Sequence, residues 1–155
     1  GMLARAHREL GQAEDELAVL EQWAAIEDAA TKLYGRLMEI HSERENWSAV
    51  DRLAKRFFSA NPLSPIGHRF MALTAQQTGR RADTIRPLTR LLLLDPADPV
   101  DLHFRLATAL ADTATDKARR HVLQALEDAP RFRDAQKLLI RLAKPDSTAV
   151  EAKAQ

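Results

Sequence analysis

"TRLLLLDPADPVD", residues 89–101, runs four leucines into two Asp-Pro pairs. Proline has no N–H to donate and its ring clashes with the turn before it, so an apolar helix must stop at Asp95-Pro96. Asp98-Pro99 then has the form of a new start, an N-cap followed by proline at the first helical position. The same arrest recurs: "KRFFSANP" closes at Pro62 and "LQALEDAP" at Pro130, so three apolar helices stop at prolines spaced 34 residues apart. One more step back falls on Asp28, at the end of "EQWAAIED", where the apolar rhythm is kept without the proline. Ser64-Pro65 repeats the start signal one unit before Asp98-Pro99.

Between these stops the chain reads as all-α. Ala, Leu, Arg, Glu and Gln dominate, and no stretch alternates apolar and polar residues for long. Apolar residues recur at helical spacing, as in Leu33, Leu37 and Ile40, in Val50, Leu53, Ala54 and Phe57, and in Leu88, Leu91 and Leu92. The pattern predicts helices near 2–10, 12–27, 31–44, 47–60, 64–78, 81–94, 99–111, 115–129 and 132–143. Pro87 falls inside one of them, where the lost hydrogen bond and ring clash cost about 3 kcal/mol unless the helix kinks; a kink is expected there.

The repeat units align internally. Residues 34–62 supply Tyr34, Leu37, Met38, His41, Val50, Ala54 and Pro62; residues 68–96 supply His68, Met71, Ala72, Ala75, Thr84, Leu88 and Pro96, with Gly79 at the inter-helix turn. Residues 103–130 supply His103, Leu106, Ala107, Leu110, Ala118, Val122 and Pro130, with the first helix displaced by one residue and hence a shorter turn around "DTAT". This period, the proline column and the matched apolar columns resemble the tetratricopeptide-repeat family over about residues 2–143. The resemblance implies an α-α superhelix, a right-handed solenoid of stacked helix-turn-helix repeats. The expected organisation is a partial unit 1–28, units 29–62, 63–96 and 97–130, a capping helix 131–143 and a C-terminal tail 144–155.

Two readings of the N-terminus stay open. Leu3, Ala4, His7, Gly11, Leu17, Leu20 and Ile26 fit the repeat columns, which places Gly1 inside a repeat, as in a piece cut from a longer array; Gly1 ahead of Met2 has the look of a residue left by tag removal. Leu3, Ala6, Leu10, Ala13, Leu17, Leu20 and Ala24 also follow a heptad pattern, and no proline interrupts residues 2–44. A break near residue 28 and one continuous helix over 12–44 are the alternatives.

Composition excludes several kinds of function. With 45% hydrophobic and 29% charged residues the chain can bury a core. Its 23 basic and 22 acidic residues leave a formal charge of +1, so no global field collects nucleic acid or an anionic membrane. No cysteine is present, which removes disulfides, thiolate metal sites and cysteine nucleophiles together. No apolar run approaches the roughly 18 residues of a membrane span, and "GMLARAHREL" lacks the apolar centre of a secretory signal. A soluble chain is expected, cytoplasmic or, as part of a larger polypeptide, periplasmic or secreted.

Catalytic signals are missing too. The histidines fall in packing columns, His7 with His41 and His68 with His103, where a flat ring fills space between helices; no His-x-x-x-His pair faces one way. "DPADPVD" lacks the glycine and late glutamate of a calcium loop, and the five glycines are scattered rather than gathered around a phosphate. No enzyme, metal or cofactor is expected. Arg80, Arg81, Arg86, Arg90, Arg119 and Arg120 fall on or beside second helices, where stems covering apolar surface are the simpler reading than a nucleic-acid stripe.

The resemblance implies a protein or peptide ligand held in a concave groove lined by first helices. By helix phase the groove candidates are Lys32, Arg36, Glu39, Glu43, Arg69, Leu73, Gln76, Phe104 and Thr108, a mixed surface whose apolar centre, Leu73 and Phe104, serves equally for lateral packing. The family's carboxylate clamp of Lys, Asn and Arg does not carry over: the positions compared hold Gly35, Glu39, Phe70, Asp101 and Arg105, and only Arg105 matches. The alternative reading is a structural spacer or accessory region of a larger bacterial protein, with a homodimer formed through N-terminal helices along Leu3, Leu10 and Leu17.

Overall fold

The computed structural model describes residues 14–24, 31–94 and 97–143. Residues 14–24 are helical and are labelled α1. Seven helices follow: α2 (Thr31–Glu43), α3 (Trp47–Ala60), α4 (Pro65–Gln77), α5 (Arg81–Leu93), α6 (Pro99–Leu110), α7 (Thr115–Asp128) and α8 (Arg133–Ala143). No strand occurs among the described residues. The expected α3 is met at both ends, and the other bounds from α2 onward differ by a residue or so. The 2–10 helix, Gly11, the break near Asp28, the Asp95-Pro96 arrest and the tail lie outside the described residues.

Two compact units divide the chain, Gly1–Gly79 and Arg80–Gln155. In the first, α2 and α3 pack as a hairpin and α4 packs on α3. Tyr34, Leu37 and Met38 from α2 and Val50, Ala54 and Phe57 from α3 are fully buried, and Leu17 and Leu20 of α1 pack against them. These are the inward columns of the sequence. The Tyr34 and Phe57 rings lie 5.4 Å apart, and the Tyr34 hydroxyl donates to the Ala24 carbonyl at 3.2 Å, joining α2 to α1. Gly67 lets α4 come close to α3: a Cβ there would sit 3.4 Å from Phe57 Cδ1 and 3.6 Å from Phe58 Cβ.

In the second unit α5 packs on α6, α6 on α7 and α7 on α8. Small residues bring α6, α7 and α8 together, with Ala107, Ala111, Ala118 and Ala135 buried beside Leu110, Val122, Leu138 and Leu142. Arg119 closes the far end by donating from Nη2 to the Leu142 carbonyl at 2.9 Å. The α5 helix runs continuously through Pro87, which is buried; the proline does not divide it.

The described proline arrests share one geometry. Asn61 before Pro62 has φ −134° and ψ 65°, and Ala129 before Pro130 has φ −132° and ψ 74°. Each leaves the α region, which a following proline disfavours, and each donates its N–H to the carbonyl four residues back, Phe57 and Ala125. The proline carbonyls are met in the same way, six residues on: His68 Nε2 lies 3.3 Å from the Pro62 oxygen, and Gln136 Nε2 donates to the Pro130 oxygen at 2.7 Å.

The one-residue displacement in the third unit also has a structural form. From the last buried residue of the first helix to the start of the second there are six positions for His41 to Trp47 and for Ala75 to Arg81, but five for Leu110 to Thr115. The missing residue comes out of the first helix: α2 and α4 run two residues past their last buried position, whereas α6 stops on it, and the turn is one residue longer, 111–114 against 44–46 and 78–80, not shorter as the repeat alignment implied. Of the start signals, Asp98 accepts from the Asp101 N–H at 3.0 Å with Pro99 at the first helical position, as expected. Ser64 differs: Pro65 opens α4, but the Ser64 side chain makes no capping bond.

Candidate functional site: exposed faces of the first helices

The first helices of successive hairpins are α2, α4 and α6. On α2 the inward face takes Leu33, Tyr34, Leu37, Met38, Ile40 and His41, so Lys32, Arg36, Glu39 and Glu43 are left exposed on the remaining arc. On α4 Arg69 and Gln76 are exposed, and α4 contacts α2 directly. Leu73 is half-buried and packs against the core of the first unit. Six of the nine sequence candidates are therefore surface side chains on two neighbouring helices.

These charges are partly committed. Arg36 donates to Glu16 of α1 through Nε at 2.8 Å and Nη2 at 3.1 Å, and its Nη1 is 3.7 Å from Glu39. The two-point hydrogen bond to Arg36 draws the Glu16 carboxyl below its usual range, and the same bond raises the Arg36 guanidinium. Arg69 lies over the ring of Phe70, 5.7 Å from its centre.

Phe104 and Thr108 belong to α6 in the second unit. Phe104 is half-buried and tilted against Phe132, with ring centres 4.7 Å apart, and the Thr108 hydroxyl donates to the Phe104 carbonyl at 2.9 Å. Both apolar candidates, Leu73 and Phe104, thus spend surface on lateral packing within their own units. Arg105 is 3.5 Å from Asp101 one turn back.

A separate cleft of about 400 Å³ opens between α1, the end of α2 and α3, lined by Glu21, His41, Asn46, Ala49, Arg52, Leu53 and Arg56. It brings two arginines one helical turn apart beside a buried histidine, but it also holds its own carboxylate: Glu21 Oε1 is 3.4 Å from His41 Nε2. Three of the six second-helix arginines form ion pairs: Arg80 with Asp83 at 3.5 Å, Arg81 with Asp112 at 3.2 Å and Arg119 with Asp116 at 3.7 Å. Among the described residues no group of three or more His, Asp or Glu could hold a metal ion, and no helix is long and apolar enough to cross a membrane.

His41 and His68 are buried, His68 edge-on to Phe58 with ring centres 5.1 Å apart. His103 departs from this packing role, because its Nδ1 meets the Nδ1 of His121 at 2.9 Å. The sequence reading missed this pair. The hairpin register carries a signal for it: the equivalent positions in the first unit are Tyr34 and Leu53, which pack in one apolar cluster.

No family model matches the chain, and no curated protein matches its sequence. Solved structures do. A crystal structure of MamA superposes with a TM-score of 0.73 at 13% identity, over 87% of this chain and 79% of that one. The RS-1 MamA, as its ArsTM double mutant, gives 0.72 at 16% identity, over 92% and 84%. A thermophilic tetratricopeptide-repeat protein of Thermus thermophilus gives 0.56 at 22% identity, over 90% and 77%. These likenesses establish the fold as an all-α arrangement of tetratricopeptide-type helix hairpins.

Proposed function

We propose that this protein is a non-catalytic interaction module that binds a peptide or helix of a partner protein along its first helices. The observation that carries this reading is the exposed face shared by α2 and α4, where Lys32, Arg36, Glu39, Glu43, Arg69 and Gln76 surround the half-buried Leu73. Mixed charge about a limited apolar centre suits an amphipathic or extended segment. A photo-crosslinking residue at Arg69, compared with one at Ser59 on α3, tests it. A specific partner captured only from Arg69 supports the groove; equal capture from both, or from neither, removes it.

Self-association is the second reading, favoured by α1. Val19 and Trp23, one turn apart, are 50% and 62% exposed. Leu17 packs inward instead, so it does not belong to an outer seam; Leu3 and Leu10 lie outside the described residues. A dimer in light scattering that Trp23→Lys converts to monomer supports this reading, and a monomer at all concentrations rejects it.

A further inference from the structure

The hydrogen bond between His103 on α6 and His121 on α7 has only one proton to share. Their Nδ1 atoms are 2.9 Å apart and their ring centres 5.2 Å, so the two nitrogens point at each other. In the neutral pair one ring donates Nδ1–H and the other accepts with its lone pair. A first added proton goes to the far nitrogen, Nε2, of the donor ring and leaves the bond intact. A second must go to the accepting Nδ1, and then two N–H groups on two cations face each other with no acceptor between them.

We propose that His103 and His121 form a proton-operated latch between α6 and α7, closed when the pair holds at most one extra proton and opened when both rings are charged. The surroundings keep it closed near neutrality. Burial lowers the pKa of His103, opposed by the charge of Asp128; burial lowers that of His121, helped by the charge of His103 and of Arg120 and opposed by a hydrogen bond with Gln124. Asp101 and Arg105, also on α6, pair with each other. Among the described residues no charged group of α5 or α8 acts on either ring. Both folded values lie below the unfolded one, so the latch contributes fully above about pH 6.5 and is lost as pH falls through the lowered folded values. The first unit has no histidine pair at the equivalent positions, Tyr34 and Leu53, which pack in one apolar cluster.

Amide hydrogen exchange on the full chain at pH 7.5 and 5.0, corrected for intrinsic rates, tests the latch against the double variant His103→Tyr/His121→Leu. In the wild type, protection across α6 and α7 should fall by about tenfold for each unit by which the folded values lie below the unfolded one, relative to α2 and α3. The variant should lose this pH dependence. Imidazole NMR titration of the wild type gives an independent readout: the two rings should titrate in separated steps, the later one well below pH 6.5. Equal pH dependence in wild type and variant, or two independent titrations at ordinary values, overturns the latch; if the variant does not fold, the wild-type titration decides alone.

Discussion

Glu45 and Gly79, 34 positions apart in the turns that follow α2 and α4, both adopt the left-handed backbone conformation, with φ of 55° and 73°. The turn requires that conformation whatever residue fills it. Glycine meets the requirement without a steric penalty, whereas a side chain at positive φ costs roughly 1–2 kcal/mol. Gly79→Ala should therefore lose about 1 kcal/mol in denaturant unfolding, although a Cβ there would meet nothing within 4 Å. Glu45→Gly should gain, by somewhat less than about 1 kcal/mol because glycine also loosens the unfolded chain. A destabilised Glu45→Gly would mean that its turn is not left-handed in solution.

Phe57 is fully buried, touches Tyr34 and lies under the close approach of Gly67. It joins three helices. Phe57→Ala should cost about 3–5 kcal/mol, since α2 and α4 are held on either side of the cavity and only partly collapse into it. Urea unfolding measures this directly, and a loss below about 1 kcal/mol, the range of a surface change, would remove Phe57 from the core.

The helical layout was legible because prolines and inward columns act locally: Asn61 and Ala129 leave the α region for the same reason, the proline that follows each. The buried residues Leu37, Val50 and Ala54 were readable from helical spacing, and Leu106 and Val122 from the repeat columns that the family resemblance aligned. The side-chain partnerships were not. Arg36 was assigned to a groove by helix phase, yet it reaches a carboxylate on α1, twenty residues away. His103 was read as a packing ring because its column favours rings, and only the hairpin geometry brings His121 to it. Leu73 and Phe104 show the same limit, since periodicity marks a residue as apolar and outward without saying how much of it a neighbouring helix covers.

The Arg36–Glu16 bond predicts an acid-range signature. Because the Glu16 carboxyl is held below its usual value of 4.5, the pair contributes to the fold above that value, and the contribution is lost as pH falls through the lowered one. Carboxyl NMR should find Glu16 titrating below the usual range at low salt. Arg36→Gln should return it upward, and high salt should move it part of the way by screening an exposed pair. An unchanged Glu16 titration in Arg36→Gln would show that the two side chains do not meet in solution.

Thr74 on α4 is 1% exposed, and its hydroxyl has no hydrogen-bond partner among the described residues. Its own carbonyl already accepts from the N–H and hydroxyl of Thr78, at 2.9 and 2.7 Å. An unmet buried hydroxyl costs roughly 1–3 kcal/mol, whereas a methyl in the same place costs nothing of that kind. Valine keeps the shape and the branched Cβ, so Thr74→Val should stabilise the protein by about 1 kcal/mol. Thr74→Ser keeps the unmet hydroxyl and deletes a buried methyl, and should lose about 1 kcal/mol. Thermal and urea unfolding of the two variants separate the contributions: if valine destabilises while serine is neutral, the hydroxyl is bonded in solution and the methyl is not what fills the site.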